Sequence, residues 1–314
     1  MDRTVNRVCF FHRADLDGKC AGEIVRRACK GEIEMIGINY GDDYEKVVFE
    51  NVDADTEVVM VDFCMQPWNL MVRLKETVKR LLWIDHHAEA IKSYEGWLNN
   101  PFKAIEGYQR EGEAGCELTW KWFHPSDEMP KAVYLLGRYD VWAWKDVPDA
   151  LEFQMGMRIE ENWPGKADEL WDKLLRAGPA STNETLVKVI EQGRTILRYK
   201  TQQDAIHVRS AAFNLQWRGK IWVAINEMFN NSQLFDAVYD PEHHHGMLTF
   251  GWRHGQWNFS LYTTRDDVNV GEIATAVGKE LGTGGGGHPR AAGFQAKELP
   301  FDLVKDKLEW IKDE

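Results

Sequence analysis

The stretch RLLWIDHHAE, residues 80–89, runs from large apolar side chains directly into a carboxylate and two imidazoles. Two earlier stretches end in a similar way, FFHRADLDG at 10–18 and EVVMVDF at 57–63. These short β-rich runs alternate with segments of helical pattern, such as GKCAGEIVRRACKG at 18–31 and QPWNLMVRLKETVKR at 66–80. Such alternation predicts an α/β fold in which both faces of a parallel sheet are covered.

Acids and histidines follow three of the predicted strands. The carboxyl ends of parallel strands meet at one edge of an open sheet, so we expect these side chains to lie together even when they are distant in sequence. A single Asp after a strand is more often a helix cap or turn former, but clustered carboxylates repel one another unless cations neutralise them. Asp and neutral imidazole suit Mn²⁺ and similar ions. The joint pattern therefore predicts a two-metal centre that draws on His12, Asp15, Asp17, Asp62, Asp85, His86 and His87.

The sequence pattern of the chain changes near residue 180. Ser181 and Thr182 are candidate caps for a long connecting helix, and the stretches beyond it read as strands with turns followed by a helix at 269–282. The second half is therefore predicted to be a smaller mixed α/β domain. The predicted division is a catalytic domain at 1–180, a linker helix at 181–207 and a substrate-binding domain at 208–314.

Composition limits the classes of function. A formal net charge of −12 argues against stable binding of duplex nucleic acid, although bound cations could still hold a small anionic substrate. The sequence has no apolar run long enough for a membrane span and no signal-peptide core, so we expect a cytoplasmic protein without a membrane partner. The five cysteines are odd in number and form no C-x-x-C pair, and we interpret them as reduced, mostly buried thiols.

A glycine run in the second half, GGGGHPRAAGF at 284–294, predicts a binding loop. Backbone N–H groups in such a loop can form a nest for an anion, and His288 and Arg290 add donors. The alternative is a flexible turn. The run is not a nucleotide P-loop, because no Lys-Ser or Lys-Thr pair follows it. We expect it to be anchored on the preceding helix and to face the metals across a cleft between the domains.

Together these stretches resemble the DHH phosphoesterases, named for the triplet that stands here at residues 85–87. The resemblance covers nearly the whole chain. The first motif is similar to HRADLDG at 12–18, the second to the Asp62 of VVMVDF, and the fourth to the Asp140 of YLLGRYDVW. GGGGHPRAAGF is similar to the hallmark of the domain that commonly accompanies this catalytic unit.

The resemblance implies a role for each residue of the centre. One metal would be held by His12, Asp15 and Asp62. The other would be held by Asp17, Asp62, His86 and Asp140, so that Asp62 bridges the two ions. His87 would face the scissile phosphate, and Asp85 would orient the histidines. Substrate would be bound in the second domain by Gly285, Gly286, Gly287, His288, Arg290 and Arg265.

The function implied is hydrolysis of phosphoester bonds by a water that two Mn²⁺ ions activate, with Mg²⁺ or Co²⁺ as alternatives. The expected substrates are short single-stranded oligonucleotides, linear dinucleotides or bisphosphonucleotides. Two alternatives stay open: an inorganic pyrophosphatase or polyphosphatase, and an inactive nucleotide-binding protein on the same fold. The oligomeric state is also open, with a homodimer as one option. Two residues separate His12 from Asp15, where pyrophosphatase and nanoRNase members usually place three, and YDVWAW stands where nanoRNases usually have Asp-Thr-Gly.

Overall fold

The computed structural model describes residues 6–98, 104–176, 183–303 and 309–310. It divides into two compact units, residues 1–197 and residues 198–314. Among the described residues, the helices include none that is both long and apolar enough to cross a bilayer.

The first unit is built on four parallel strands in the order β2-β1-β3-β4. The strands are β1 Arg7–His12, β2 Glu34–Ile38, β3 Glu57–Val61 and β4 Arg80–Ile84. Its helices are α1 Leu16–Ala28, α2 Tyr44–Val47, α3 Asn69–Thr77, α4 Ala88–Trp97, α5 Gly115–Phe123, α6 Lys131–Asp140, α7 Ala150–Met157 and α8 Asp168–Leu174. The predicted parallel α/β architecture is confirmed.

Both faces of this sheet are buried, as its apolar strands require. On β1, Cys9 and Phe11 pack into one apolar cluster with residues of α1, while Val8 and Phe10 pack into another with residues of α3 and α4. Each strand therefore supplies side chains to two cores in alternation.

The strand register brings three polar positions level with one another. Phe11 of β1 pairs with Val61 of β3, which pairs with Ile84 of β4. The next residues along these strands are His12, Asp62 and Asp85. They lie at the carboxyl edge, where β1 and β3 form the point at which the strand order reverses, the usual ligand position in open α/β sheets.

The predicted connecting helix is α9, Glu184–Ala211, which begins within the first unit and ends within the second. It ends at Ala211 rather than at residue 207. The predicted caps Ser181 and Thr182 lie outside the described residues. Asn183 caps the helix, because its side-chain oxygen accepts a hydrogen bond from the N–H of Leu186 at 3.0 Å.

The described part of the second unit holds a mixed sheet in the order β11-β5-β6-β7-β8-β10-β9. The strands are β5 Phe213–Trp217, β6 Lys220–Asn226, β7 Gly246–Arg253, β8 Gln256–Tyr262, β9 Gly285–His288, β10 Ala291–Ala296 and β11 Glu309–Trp310. Helix α10, Val270–Leu281, begins at the side-chain cap of Asn269 and ends at Gly282, whose φ of 67° suits glycine. Residues of α10 pack into the same core as residues of β5 to β8 and β10.

The glycine run is not a loop, which corrects the prediction. Residues 285–288 form β9, an edge strand that pairs antiparallel with β10. The reason is close packing on α10: a Cβ at Gly285 would stand 2.3 Å from the carbonyl oxygen of Ala274. The run lets a strand approach the helix backbone where a side chain would collide. Its expected contact with the preceding helix is therefore present.

Candidate metal centre

The first group of candidate ligands joins His12, Asp15 and Asp62. His12 Nδ1 lies 2.7 Å from Asp15 Oδ2 and 3.6 Å from Asp62 Oδ2. The other oxygen of Asp15 caps α1 by accepting from the N–H of Gly18 at 2.9 Å. The spacing of two residues between His12 and Asp15 thus still brings both side chains to one point.

The second group joins Asp17, His86 and Asp140. His86 Nε2 lies 3.7 Å from Asp17 Oδ2, 3.3 Å from Asp140 Oδ2 and 3.1 Å from Asp62 Oδ1. Asp62 therefore turns one oxygen toward His12 and the other toward His86. That is the arrangement required of a carboxylate that bridges two ions.

Two buried atoms of these groups test whether a metal fits. Within the described part of the chain, His12 Nδ1 and Asp62 Oδ1 have no well-aligned hydrogen-bond partner, although both are shielded from water. A buried polar atom without a partner is costly, and an ion held by the surrounding oxygens and nitrogens would satisfy it. The donor set therefore fits divalent ions of the Mn²⁺ type.

The backbone at Asp62 is strained. Its φ is 55°, in the left-handed region that residues with a side chain seldom adopt, although Asp and Asn tolerate it better than most. The residue is held there because its N–H donates to the carbonyl of Ile84 at 2.9 Å, which continues the pairing of β3 with β4. Strain of this kind is typical of functional positions.

Asp17 is fixed by the first turn of α5, which sequence reasoning missed. Its two oxygens accept from the N–H groups of Gly115 at 2.7 Å and Cys116 at 2.8 Å. A Cβ at Gly115 would lie 2.7 Å from Asp62 Cβ and 3.0 Å from Asp17 Oδ2. Only glycine fits between the two carboxylates. A signal was present, since glycine is the usual residue where the backbone must approach another group closely.

Asn39, directly after β2, was also missed. Its side-chain oxygen accepts from the backbone N–H of Tyr40 at 2.8 Å and lies 3.2 Å from His12 Nε2. Because that oxygen can only accept, the ring must carry a proton on Nε2, which leaves Nδ1 as the atom available to a metal. The Asn39 turn is held by Asp42, which accepts from the N–H of Asn39 at 2.8 Å and pairs with Arg13.

Asp85 organises the two histidines through one oxygen. It accepts from the N–H of His86 at 2.7 Å, from the N–H of His87 at 3.2 Å and from His87 Nδ1 at 2.7 Å. Asp85 therefore orients the ring of His87 and only the backbone of His86. One ring nitrogen of His87 also lies within 4.8 Å of ligand atoms of Asp62 and His86, so this residue borders the same centre.

A partly buried ion pair joins helices α5 and α6. Glu117 of α5 accepts from the N–H of Ala114 at 3.0 Å and from Arg138 of α6. It thereby links the turn that holds Asp17 to the helix that ends with Asp140.

The centre crowds several buried acids together with histidines. Burial raises the pKa of Asp17 to about 8, with a further contribution from the charge of Asp62. Burial and the charge of Asp17 likewise raise the pKa of Asp140 to about 7. Burial alone would lower the pKa of His12 and His86, but the neighbouring carboxylates outweigh it and raise both to about 10. Cations are thus strongly favoured at this site.

Comparison with known proteins places both halves of the chain. The DHHA1 domain family matches residues 234–313. Among solved structures, a pGpG-specific phosphodiesterase, PggH from Vibrio cholerae, is similar with a TM-score of 0.50 at 13% identity, over 93% of this chain and 92% of that chain. The chain has the DHH-family fold with a DHHA1 domain. The resemblance drawn from the sequence motifs is confirmed.

Two further similarities accompany these. RecJ from Thermus thermophilus in complex with Mn²⁺ has a TM-score of 0.49 at 15% identity, over 94% of this chain and 50% of that chain. A curated relative, the uncharacterized protein R106 of Acanthamoeba polyphaga mimivirus, is 24% identical over 264 residues, 79% of this chain. The match spans 56% of the length of that relative.

The predicted substrate residues lie in the second unit, and the structure groups them at one end of its sheet. The carbonyl of Arg290, in the turn from β9 to β10, accepts from the N–H of Thr263 just beyond β8, at 3.1 Å. Both arginines are already paired. Arg290 contacts Asp266, and Arg265 makes two hydrogen bonds to Asp267 at 2.7 and 2.9 Å and one to the carbonyl of Pro241 at 3.0 Å.

Two histidines of the run EHHHG at 242–246 have hydrogen-bond partners in the second unit. His244 is buried, accepts from the N–H of Asp240 at 3.0 Å and lies 2.8 Å from the Asn214 oxygen. His245 accepts from the N–H of Ile221 at 3.1 Å. These two histidines join β5 and β6 to the 240–245 segment, which is a structural role.

Proposed function

We propose that this protein is a divalent-metal-dependent phosphoesterase that hydrolyses phosphoester bonds of nucleotide substrates. One observation carries the proposal: two groups of carboxylates and imidazoles meet at Asp62, with one oxygen turned to each group. His12, Asp15 and Asp62 would hold one ion. Asp17, Asp62, His86 and Asp140 would hold the other. Mn²⁺ is the proposed ion because it accepts mixed oxygen and imidazole ligands.

When bound, two divalent ions supply polarisation of the phosphoryl oxygens and lower the pKa of an attacking water. The residues of the chain do the rest. Asp85 holds the Nδ1 side of His87, which leaves Nε2 free to donate. Burial would lower the pKa of His87, but the hydrogen bond and charge of Asp85 raise it to about 9, which favours the protonated ring. His87 can therefore neutralise a phosphoryl oxygen or give a proton to the leaving oxygen.

The proposed substrates are short oligonucleotides, linear dinucleotides or bisphosphonucleotides. The DHHA1 domain supports this class, and so does the likeness in fold to PggH, which is described as a phosphodiesterase specific for pGpG. In the DHHA1 domain, His288, Arg290, Arg265 and the backbone of residues 285–287 are the proposed substrate contacts.

A substrate panel tests the proposal. Dinucleotides, short oligonucleotides, bisphosphonucleotides and inorganic pyrophosphate are each incubated with Mn²⁺, with Mg²⁺ and with chelator. We expect metal-dependent hydrolysis of at least one nucleotide substrate. Asp62→Ala should reduce it to the rate without enzyme, because both ions lose a ligand. Asp55→Ala is the matched control, since Asp55 is exposed at the opposite end of β3.

The other outcomes are equally informative. Hydrolysis that survives chelator or the Asp62→Ala change would refute the two-metal centre. Cleavage of pyrophosphate alone would identify a pyrophosphatase. Nucleotide binding without turnover under any metal would identify a binding protein on the DHH fold.

A further inference from the structure

Two aromatic side chains stand exposed beside the metal centre. Among the described residues of the first unit, the large apolar side chains that are strongly exposed are Tyr40, Trp142, Ile159 and Val187. The two aromatic residues of this set, Tyr40 and Trp142, both lie next to candidate ligands. Tyr40 packs beside His12 of the first group, and Trp142 follows Asp140 of the second group by two residues.

Trp142 occupies a backbone position that favours glycine. The N–H of Ala143 donates to the carbonyl of Arg138 at 2.9 Å, and the N–H of Trp142 donates to that of Tyr139 at 3.1 Å. This pattern is the Schellman ending of a helix, and it places Trp142 in the left-handed conformation with φ of 59°. A bulky residue is disfavoured there, and its side chain is 65% exposed. Folding of the chain therefore gives no reason for a tryptophan at this position.

Tyr40 is held in place by His12 of the first metal group and by two residues next to that group. Its N–H donates to the Asn39 oxygen that also faces His12 Nε2. Its ring lies 4.6 Å from that of Phe63, the residue after Asp62, and 5.7 Å from that of His12. Nearly half of the side chain, 46%, remains open to solvent. A rigidly supported ring with an open face is suited to stacking.

We infer that Tyr40 and Trp142 are stacking surfaces for two nucleobases, one on each side of the scissile phosphodiester. This rests on the proposed function and specifies its substrate as a dinucleotide or short oligonucleotide rather than an inorganic phosphate. The consecutive Cα atoms of a trans chain are about 3.8 Å apart, so the Cα of Trp142 stands within about 7 Å of that of Asp140. A phosphate at the centre would therefore have its nucleosides close to both residues. Stacking is tolerant of base identity, so the surfaces select for the presence of a base and not for its sequence.

The test compares two substrates that differ only in their bases, a dinucleotide and its abasic analogue. Loss of one stacked base corresponds to a roughly 5- to 150-fold fall in kcat/KM. We expect this fall on the dinucleotide for Trp142→Ala and for Tyr40→Ala, and almost no change on the abasic analogue. Tyr40→Phe and Trp142→Phe keep an aromatic face and should keep most of the rate. Val187→Ala, at an exposed site on α9, is the matched control.

A second variant separates stacking from structure. Trp142→Gly removes the ring but favours the left-handed backbone, so it should raise the melting temperature by about 2 °C while it lowers dinucleotide cleavage as Trp142→Ala does. Equal losses on both substrates would show that the ring supports the metal centre, and the inference would fail. Unchanged kinetics together with a change in oligomeric state would instead make Trp142 an interface residue, which would also overturn the inference.

Binding of a dinucleotide with a methylphosphonate linkage, which resists hydrolysis, distinguishes the proposed hydrolysis from the proposed stacking surfaces. If wild-type protein cleaves nothing but binds this ligand through Trp142 and Tyr40, the proposed hydrolysis is wrong and the stacking surfaces stand. If it cleaves dinucleotides but neither ring affects cleavage or binding, the stacking surfaces are wrong and the hydrolysis stands.

Discussion

The substitution Gly115→Ala adds a single methyl group between two candidate metal ligands. That methyl carbon would stand 2.7 Å from Asp62 Cβ, 2.9 Å from Asp62 Oδ1 and 3.0 Å from Asp17 Oδ2. Carbon atoms in contact are normally about 3.5–4.0 Å apart, so Asp62 or α5 must move by about 1 Å. Metal sites tolerate errors of only about 0.2 Å in ligand distance. Asp62 cannot yield at the tip alone, because the closest atom is its Cβ.

The overlap is expected to cost about 1–3 kcal/mol, the usual range for an overfilled site. Much of that cost should appear as weaker ion binding, a roughly 5- to 150-fold rise in the Kd for Mn²⁺. Calorimetric titration of metal-free protein with Mn²⁺ measures it directly. Thermal unfolding with and without Mn²⁺ gives a second measure, since the stabilisation by the ion shrinks as its affinity falls.

The matched control is Gly96→Ala in α4. A Cβ at this exposed helical position meets nothing within 4 Å, so the change should stabilise the fold by about 0.5–1 kcal/mol and leave Mn²⁺ binding unaltered. A Gly115→Ala protein that binds Mn²⁺ and turns over substrate like the wild type would refute the claim that Asp17 and Asp62 converge on the ions.

Three further results are expected. Asn39→Ala should weaken Mn²⁺ binding about 10- to 100-fold, because His12 loses the acceptor that fixes its Nε2 proton. Asn39→Asp keeps an acceptor, so its loss of Mn²⁺ affinity should be smaller. Equal Mn²⁺ titrations for the wild type and both variants would contradict this. In chelator, the neighbouring carboxylates raise the pKa of His12 and His86 from 6.5 to about 10. Protonation of the two rings therefore stabilises the fold fully below pH 6.5, and this stabilisation is lost as the pH rises through 10. The melting temperature should fall steadily from about pH 6.5 to about pH 9, whereas a flat profile would show that the cluster is absent. Arg290→Ala should raise KM for a nucleotide by roughly 10- to 150-fold. Asp266→Ala releases the Arg290 guanidinium from its ion pair, so it should lower KM. If KM responds to neither change, Arg290 does not contact the substrate.

The first unit was predictable because its signals are local. Each strand is a short β-rich run that ends in a polar residue, and parallel pairing then places those ends together without further information. His12, Asp62 and Asp85 come level for this reason alone. The family motifs added Asp140, which no strand pattern would have pointed to.

The supports of the centre were not predictable in the same way. Gly115 meets Asp17 across 98 residues of sequence, through the packing of α5 against α1. Asn39 reaches His12 through the pairing of β2 with β1. Such partners are set by tertiary packing, and a single sequence carries no periodicity that reports them.

The error at residues 285–288 has a different cause. Glycine has low strand propensity, so four in succession read as a loop. Close packing against α10 overrides that preference, since the strand can lie against the helix only without side chains. The left-handed Trp142 is a related case, because the residue type gives no warning of a conformation that glycine favours.

The strained backbone at Asp62 has a consequence for the life of the protein in a cell. Left-handed geometry and crowded buried carboxylates both lower the stability of the metal-free chain, while an ion at about 100 times its Kd returns about 2.7 kcal/mol. If the proposed ions bind, a shortfall of metal would therefore increase the unfolded fraction as well as stop the proposed hydrolysis. Proteases act on that fraction, so the abundance of this protein should follow the supply of its ion.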